Sequence, residues 1–226
     1  MVPPSAPHGP FPKIPSGSGK LRLGAVVFNG MDLLDVMGPM RIFGEESNKL
    51  DIEICFISST LDPIRSSQQV MVTPHYTIEN APKLDLLFLP GGIGTRTYTD
   101  ESKLLQLIKE RAEAATWVMT VCTGAAIAAK TGLFDGYNMT TNKSAFEWPM
   151  TQGPKVNWIK KARWVQDGKI VSSSGVSAGI DAALYIVQEL VDKATAEAVA
   201  AHIEYTWHRD ANDDPFAEMY PFTRSA

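Results

Sequence analysis

Cysteine and histidine are both scarce in this chain, and their spacing matches neither a disulfide framework nor a metal site. The 226 residues include two cysteines and four histidines. Cys55 lies inside an apolar run, so a disulfide is not indicated and a reducing compartment is favoured. No two histidines have the helical spacing of a zinc site. We therefore expect neither a metal ion nor another cofactor.

Long apolar runs and a strong charge of either sign are also missing. No apolar stretch has the length of a membrane span, and the N-terminus lacks the charged-then-apolar order of a signal peptide. The formal net charge of −4 provides no electrostatic footprint for nucleic acid. We expect a cytoplasmic protein that acts on a small molecule and binds neither membranes nor nucleic acids.

The composition is otherwise that of a globular protein, with 44% hydrophobic residues in a chain long enough for one sizeable core. Residues 1–19 are rich in Pro, Gly and Ser, which predicts a disordered leader. Residues 20–204 are expected to form one domain, and residues 205–226 an irregular C-terminal segment. The aromatic residues of that segment are candidates for a dimer contact: Trp207, Phe216 and Tyr220.

Strands and helices are predicted to alternate within this domain. Continuous apolar runs predict strands at residues 21–28, 51–58 and 85–89, and residues 101–115 have helical periodicity. Asp167-Gly168 predicts a later hairpin. The alternation indicates an α/β fold with a mostly parallel sheet flanked by helices on both faces.

The most informative stretch surrounds Cys122. Residues 117–121 predict a buried strand that leads into Cys122, and the small residues that follow predict a helix. Cys122 would then occupy a nucleophile elbow, a sharp strand-to-helix turn at the carboxyl end of the sheet. N–H groups at a helix N-terminus favour a thiolate, so we expect a lowered pKa. A structural, buried cysteine is the alternative that this stretch leaves open.

Two further features are predicted at the same edge of the sheet. A glycine-rich loop at residues 90–94 exposes backbone N–H groups after one strand. Asp32 and Asp35 follow the first strand, before a helix that we predict to begin at Gly38-Pro39. Carboxyl ends of parallel strands face one crevice, so these features should converge on Cys122.

The predicted crevice contains the parts of a nucleophilic site. Backbone N–H groups of Thr123 and of Gly92 or Ile93 would stabilise negative charge on a substrate attacked by Cys122. A carboxyl group would carry protons. We assign that role to Asp35 and regard Asp32 as a helix cap.

The order of several motifs resembles the DJ-1/PfpI superfamily, and within it the isocyanide hydratase branch. These motifs are LLDVMGPMRIF, LPGGIGT, VCTGAAIAAKTGLFDG, TTN and SSSGVSAGIDAAL, and the resemblance covers residues 21–204. It implies a flavodoxin-like sandwich that usually forms a homodimer. It also implies roles for individual residues: Cys122 as nucleophile, Asp35 as its acidic partner, Gly92 and Thr123 as backbone donors, and Ser177 and Ile180 as part of the crevice lining.

One position departs from the pattern of the superfamily. Many relatives have histidine after the two threonines of this segment, whereas Thr140-Thr141 is followed here by Asn142. A Cys-His dyad of amidase or peptidase type therefore lacks its partner. No other histidine is an obvious replacement among the four present: His8, His75, His202 and His208.

The resemblance implies a hydro-lyase that hydrates isocyanides to N-substituted formamides. In that scheme Cys122 adds to the terminal carbon, Asp35 helps to protonate the nitrogen side, and water releases the formamide. Three alternatives stay open: a glyoxalase-type lyase acting on methylglyoxal, an oxidation-sensing protective protein that uses Cys122, and a ligand-binding regulator.

Overall fold

A seven-stranded sheet forms the centre of the computed structural model, which describes residues 6–14 and 19–220. The strands, numbered in chain order, are β1 (Leu21–Val26), β2 (Ile52–Ser58), β3 (Ile64–Arg65), β4 (Met71–Val72), β5 (Tyr76–Thr77), β6 (Leu86–Leu89), β7 (Trp117–Thr120), β8 (Asn138–Met139), β9 (Asn157–Trp158), β10 (Trp164–Asp167) and β11 (Ile170–Ser173).

Within residues 6–14 and 19–220, eight α-helices accompany these strands, together with one 3-10 turn at Glu46–Asn48. None of the helices in the described ranges has the length and apolarity needed to cross a bilayer. The helices are α1 (Leu33–Phe43), α2 (Thr95–Tyr98), α3 (Ser102–Ala114), α4 (Gly124–Lys130), α5 (Glu147–Gln152), α6 (Ala178–Leu190), α7 (Lys193–His202) and α8 (Phe216–Met219).

The sheet has the order β10-β11-β7-β6-β1-β2-β5, and every neighbouring pair except β10 and β11 is parallel. All residues of β6 and β7 are buried, as expected of parallel strands covered on both faces. Helices α1, α6 and α7 pack together in one group, and α4 packs with α2, α3 and α5 in another. The predicted α/β fold with a mostly parallel sheet is confirmed.

Helix α1 begins earlier than the sequence predicted. Asp32 is its N-cap and accepts hydrogen bonds from the backbone of Leu34 and Asp35, so Asp35 lies in the first turn and not in the connection. The Gly38-Pro39 pair lies inside the helix instead of starting it. A Cβ on Gly38 would come within 2.8 Å of Ile180 in α6. The absence of a side chain at Gly38 therefore permits the close crossing of α1 and α6.

Part of the predicted leader is folded onto the domain. Phe11 is only 3% exposed and packs near Trp117, whose indole Nε1 donates a hydrogen bond to the Pro12 carbonyl at 2.7 Å. His8 also pairs with Asp167 and stacks on Tyr137. The expectation of disorder is therefore wrong for residues 6–14, because these contacts hold the segment on the domain. Residues 1–5 and 15–18 of the predicted leader lie outside the described ranges.

The C-terminal segment also packs on its own chain. Trp207 is buried, and its indole donates a hydrogen bond to the Asp181 carbonyl at 3.2 Å, so it is not available for a dimer contact. Phe216 and Tyr220 remain 43% and 47% exposed. A dimer contact through these two side chains stays a prediction.

A buried lysine joins this segment to the core. The Lys143 ammonium donates to Thr140 Oγ1 at 2.7 Å and to the Ala162 carbonyl at 2.8 Å, and it pairs with Asp214 at 3.4 Å. Burial lowers the pKa of Lys143 to about 8, and the Asp214 carboxylate opposes that shift. The ion pair thus connects the C-terminal segment to the loop that begins at Thr140.

Truncating Phe11 should destabilise the whole domain. Phe11→Ala removes a buried aromatic side chain, and we expect the free energy of unfolding to fall by about 3 kcal/mol in urea titrations. Leu61→Ala is the control, because Leu61 is 57% exposed and should change stability by less than about 0.5 kcal/mol. A Phe11→Ala protein as stable as the control would show that the leader does not dock.

Removing the buried Lys143 ammonium should lower the free energy of unfolding more than removing an exposed lysine. Lys143→Met leaves Asp214 as an uncompensated buried charge, so we expect a loss of about 3–5 kcal/mol in the free energy of unfolding. Lys130→Met, at the exposed end of α4, should be nearly neutral. The double variant Lys143→Met/Asp214→Leu should regain part of the loss. Equal stability of the two single lysine variants would contradict the role of this pair.

Candidate active site

The backbone of Cys122 has a conformation that few side chains adopt. Cys122 lies between the end of β7 and the start of α4 with φ of +57°. This left-handed conformation costs a non-glycine residue about 1–2 kcal/mol. It is held from both sides, since Cys122 N donates to the Ser174 carbonyl at 3.0 Å and Thr141 Oγ1 donates to the Cys122 carbonyl at 2.7 Å. Cys122 therefore lies in the connection between β7 and α4, as the sequence predicted, and its role as a nucleophile stays a prediction.

Asp35 reaches the Cys122 sulfur from the first turn of α1. Its carboxyl group is fully buried, Oδ2 accepts a hydrogen bond from Gly91 N at 2.8 Å, and the Cys122 thiol lies beside it. The other oxygen, Oδ1, has no conventional hydrogen-bond partner among the described residues. A Cβ on Gly91 would come within 2.8 Å of Oδ2 and 2.5 Å of Thr123 N. The absence of a side chain at Gly91 therefore makes room for the contact.

The environment of Asp35 favours its protonated form. Burial raises the pKa of the Asp35 carboxyl from its usual value of 3.8 to about 8, and the nearby Asp32 carboxylate adds to the shift. The Gly91 N–H and the Cys122 thiol oppose it, because both donate to the charged form. Asp35 consequently carries a proton over most of the physiological range and is able to donate it.

Three donors surround the Cys122 sulfur. They are the backbone N–H groups of Thr123 and Val176 and the side-chain amide of Asn142, and each lowers the pKa of the thiol. The Thr123 N–H was predicted to stabilise charge on a substrate; here it contacts the sulfur, and the role toward a substrate stays a prediction. Val176 and Asn142 were not assigned as donors from the sequence. Together the three supply the hydrogen bonds that a sulfur anion would need.

The hydrogen-bond network fixes the orientation of Asn142. Its Oδ1 accepts from Ser144 Oγ at 2.7 Å and from Ala145 N at 3.1 Å, which leaves Nδ2 to face the sulfur. Gly175 allows this approach, because a Cβ there would lie 2.3 Å from Asn142 Nδ2. Asn142, which departs from the histidine of many relatives, is thus a neutral donor to the sulfur.

Despite these donors, the thiol is not pre-ionised. Burial raises the pKa of Cys122, and the neighbouring Asp35 carboxylate raises it further. The expectation of a lowered pKa is therefore wrong. That expectation considered only the N–H groups at the helix N-terminus. In the structure Cys122 is only 6% exposed, and its sulfur lies beside the Asp35 carboxyl group. The resting pair is a neutral thiol beside a neutral carboxyl group.

Two residues of the glycine-rich loop were predicted to be backbone donors to a substrate. Gly92 N donates to Thr123 Oγ1 at 3.1 Å, so this N–H is already used within the protein. Ile93 is 67% exposed, and its role as a backbone donor to a substrate stays a prediction. The loop acts through Gly91, whose N–H binds Asp35, and through the Thr123 hydroxyl that anchors Gly92.

The two residues assigned to the crevice lining lie in different places. Ser177 lines a cavity of about 210 Å³ together with Asn142, Val176, Phe216 and Tyr220. Asn142 and Val176 also contact the Cys122 sulfur, so the cavity lies beside two of the donors to that sulfur. Ile180 instead packs against Gly38 at the crossing of α1 and α6.

The four histidines all have partners elsewhere in the fold. No group of three or more His, Cys, Asp or Glu side chains in the described ranges has the arrangement of a metal site. The contacts of the histidines are His8 with Asp167, His75 with the Phe56 N–H, His202 with Glu45 and His208 with Asp213.

Comparisons with known proteins agree with this architecture. An isonitrile hydratase from Pseudomonas putida is 32% identical over 185 residues, which is 82% of this chain and 78% of that protein. A Parkinson disease protein 7 homolog from Danio rerio is 27% identical over 62% of this chain and 75% of that protein.

A solved structure and a family model also match this chain. The crystal structure of a THiJ/PfpI family protein from Pseudomonas syringae superposes with a TM-score of 0.76 at 30% identity, covering 88% of this chain and 78% of that one. The model of the DJ-1/PfpI family matches residues 22–189, which include Asp35, the glycine-rich loop and Cys122. The chain therefore belongs to the DJ-1/PfpI family.

Proposed function

We propose that this protein hydrates isocyanides to N-substituted formamides, with Cys122 as the nucleophile and Asp35 as the proton carrier. The observation that carries the proposal is the buried contact between the Cys122 thiol and a carboxyl group whose pKa is about 8. The similarity to an isonitrile hydratase over most of both chains supports the substrate class.

The first step is the addition of the thiol S–H across the isocyanide carbon. The sulfur forms a bond to that carbon, the Asp35 carboxyl donates its proton to the same carbon, and the thiol proton returns to Asp35. The product is a thioimidate, R–N=CH–S–Cys122. Atom balance thus places the first proton on carbon, whereas the sequence-based scheme placed it on the nitrogen side.

The second step adds water to the thioimidate carbon. Asp35 donates a proton to the nitrogen and accepts one from water, which gives a tetrahedral adduct with nitrogen, oxygen and sulfur on one carbon. The C–S bond then breaks as the hydroxyl proton passes to the sulfur through Asp35. The formamide R–NH–CHO leaves, and the neutral thiol and neutral carboxyl group are restored.

The site matches the needs of this reaction at each atom. The isocyanide group is neutral, so the neutral thiol and carboxyl groups of Cys122 and Asp35 do not oppose its approach. Negative charge forms on the sulfur only during addition and departure, when donation from Thr123, Val176 and Asn142 stabilises it. A neutral asparagine cannot act as the base that amide or peptide hydrolysis would require, which favours addition over hydrolysis.

The alternative activities are separable by product. A glyoxalase-type reaction on methylglyoxal would yield lactate, whereas the proposed reaction yields a formamide from n-butyl or phenyl isocyanide. An oxidation sensor would gain oxygen atoms on Cys122 under mild peroxide, detected by mass spectrometry, and turn over neither substrate. The raised pKa of Cys122 argues against the sensor, because oxidation proceeds through the thiolate.

Substituting the proposed nucleophile should abolish turnover. Cys122→Ala removes the atom that forms the covalent intermediate, so formamide production should fall below detection in a chromatographic assay. Cys55→Ala is the matched control, since Cys55 is the other buried cysteine and lies on β2. It should keep nearly full activity. Formamide production by Cys122→Ala at the parental rate would exclude the mechanism.

Asp35 should control the pH dependence of activity. The reactive form needs a protonated carboxyl group, so kcat/KM should fall as pH rises through about 8. Asp35→Asn should lower kcat by roughly 10²–10⁴-fold and lose this alkaline limb, because an amide does not exchange the proton. Asp32→Asn should keep the limb. An Asp35→Asn protein with parental turnover would remove Asp35 from the mechanism.

The raised pKa of Asp35 should also make the stability of the fold depend on pH. Because the folded-state pKa of Asp35 is raised from 3.8 to about 8, the folded state binds the extra proton between these values. The free energy of unfolding should therefore fall as pH rises through this window, by up to about 1.4 kcal/mol per pH unit from this group. Urea titrations at several pH values should show a shallower dependence for Asp35→Asn than for the parent protein.

A further inference from the structure

An arginine outside the proposed chemistry lies close to the nucleophile. Arg96 belongs to α2, directly after the glycine-rich loop, and its side chain is half-buried. The guanidinium carbon lies 4.0 Å from the ring centroid of Trp148 in α5. Stacking on an indole face holds the planar guanidinium in one orientation.

Hydrogen bonds connect this guanidinium to the residue that follows Cys122. Arg96 Nη1 donates to Thr95 Oγ1 at 3.2 Å, and Thr95 Oγ1 lies 3.2 Å from Thr123 Oγ1. Two hydrogen-bond lengths therefore separate Arg96 from Thr123, whose N–H points to the Cys122 sulfur. Burial lowers the pKa of Arg96, and a charge on Cys122 raises it, which agrees with this short separation.

Arg96 lacks an acidic partner within residues 6–14 and 19–220, and the one hydrogen bond of its guanidinium there is to Thr95. Arg163 provides the contrast, because its guanidinium binds Asp181 at 2.8 Å and 2.9 Å and also reaches Ser177. Desolvating a cation without a counter-charge is unfavourable. The remaining donors of Arg96 are thus available to an anion beside the nucleophile.

We propose that Arg96 makes the site selective for isocyanides that carry a carboxylate one or two carbons from the isocyanide nitrogen. The inference rests on the proposed function and names the substrate class of the same site. Arg96 acts here in binding and orientation, while the covalent chemistry stays with Cys122 and Asp35.

The chemistry of the two groups explains the pairing. An isocyanide has no charge by which a protein could orient it, so its direction must come from the substituent on nitrogen. A carboxylate presents two coplanar oxygens that match the parallel N–H groups of a guanidinium. The short path from Arg96 to Thr123 restricts the acid group to a short linker. A neutral ester of the same shape retains the linker but loses the charge-assisted hydrogen bonds.

The test compares isocyanoacetate with methyl isocyanoacetate in steady-state formamide assays. The parent protein should prefer the acid. Arg96→Gln should lower kcat/KM for the acid by roughly 10–100-fold, mainly through KM, and change the ester by less than about threefold. Arg96→Lys should be intermediate, because it keeps the charge without the paired donors. High salt should weaken the preference of the parent for the acid.

Arg209→Gln is the matched control. Arg209 also stacks on a tryptophan, with its guanidinium carbon 5.3 Å from the Trp207 ring, and it belongs to the C-terminal segment. This variant should leave both substrates unaffected. An equal loss on acid and ester in Arg96→Gln would show that the Trp148 stack only supports the fold, and the inference would be wrong.

The remaining outcomes separate the inference from the function on which it rests. If the parent hydrates the ester at least as well as the acid, substrate selection by Arg96 is refuted and isocyanide hydration stands. If the parent hydrates neither compound, nor n-butyl or phenyl isocyanide, the proposed function fails and the inference fails with it. A preference for the acid that survives Arg96→Gln would assign selection to another residue.

Discussion

The left-handed backbone of Cys122 is the constraint on which the site depends. In this conformation the sulfur lies against Asp35, Asn142 and the Val176 N–H. The approaches of Asp35 and Asn142 both require backbone without side chains, since a Cβ on Gly91 or Gly175 would fill the space. The strain at one residue is offset by hydrogen bonds to both of its peptide groups. Strain of this kind persists only when the surrounding structure over-determines it.

Much of this arrangement follows from local sequence patterns, and the part that does not depends on tertiary contacts. Continuous apolar runs identified the parallel strands, and small residues after Cys122 identified the corner. The start of α1 was misplaced because Gly38-Pro39 is a packing feature set by Ile180 of a distant helix. The packing of Phe11 could not be predicted from the leader itself, because its partner, Trp117, lies more than a hundred residues away.

The electrostatics were the least predictable feature, for a related reason. A helix N-terminus is readable from sequence, but the burial of a sulfur and the closeness of an acid are properties of the assembled core. Here burial dominates and raises the pKa of both Cys122 and Asp35. Asn142 was recognised as a departure from relatives, yet its role as a donor depends on Ser144 and Ala145, which fix its amide. Val176 had no side-chain signal, because it contributes its backbone N–H.

This distribution of protons limits the chemistry that the site can perform. Of the described side chains that contact the sulfur, Asp35 titrates and Asn142 does not. Asp35 is therefore the side chain there that can accept a proton from the thiol. In the proposed reaction each proton transfer passes through Asp35, including the activation of water in the second step. Asp35 therefore returns to its protonated state after each step, and no further base is needed. The neutral resting pair is therefore suited to substrates that accept both S and H at one carbon, which is the reactivity of an isocyanide.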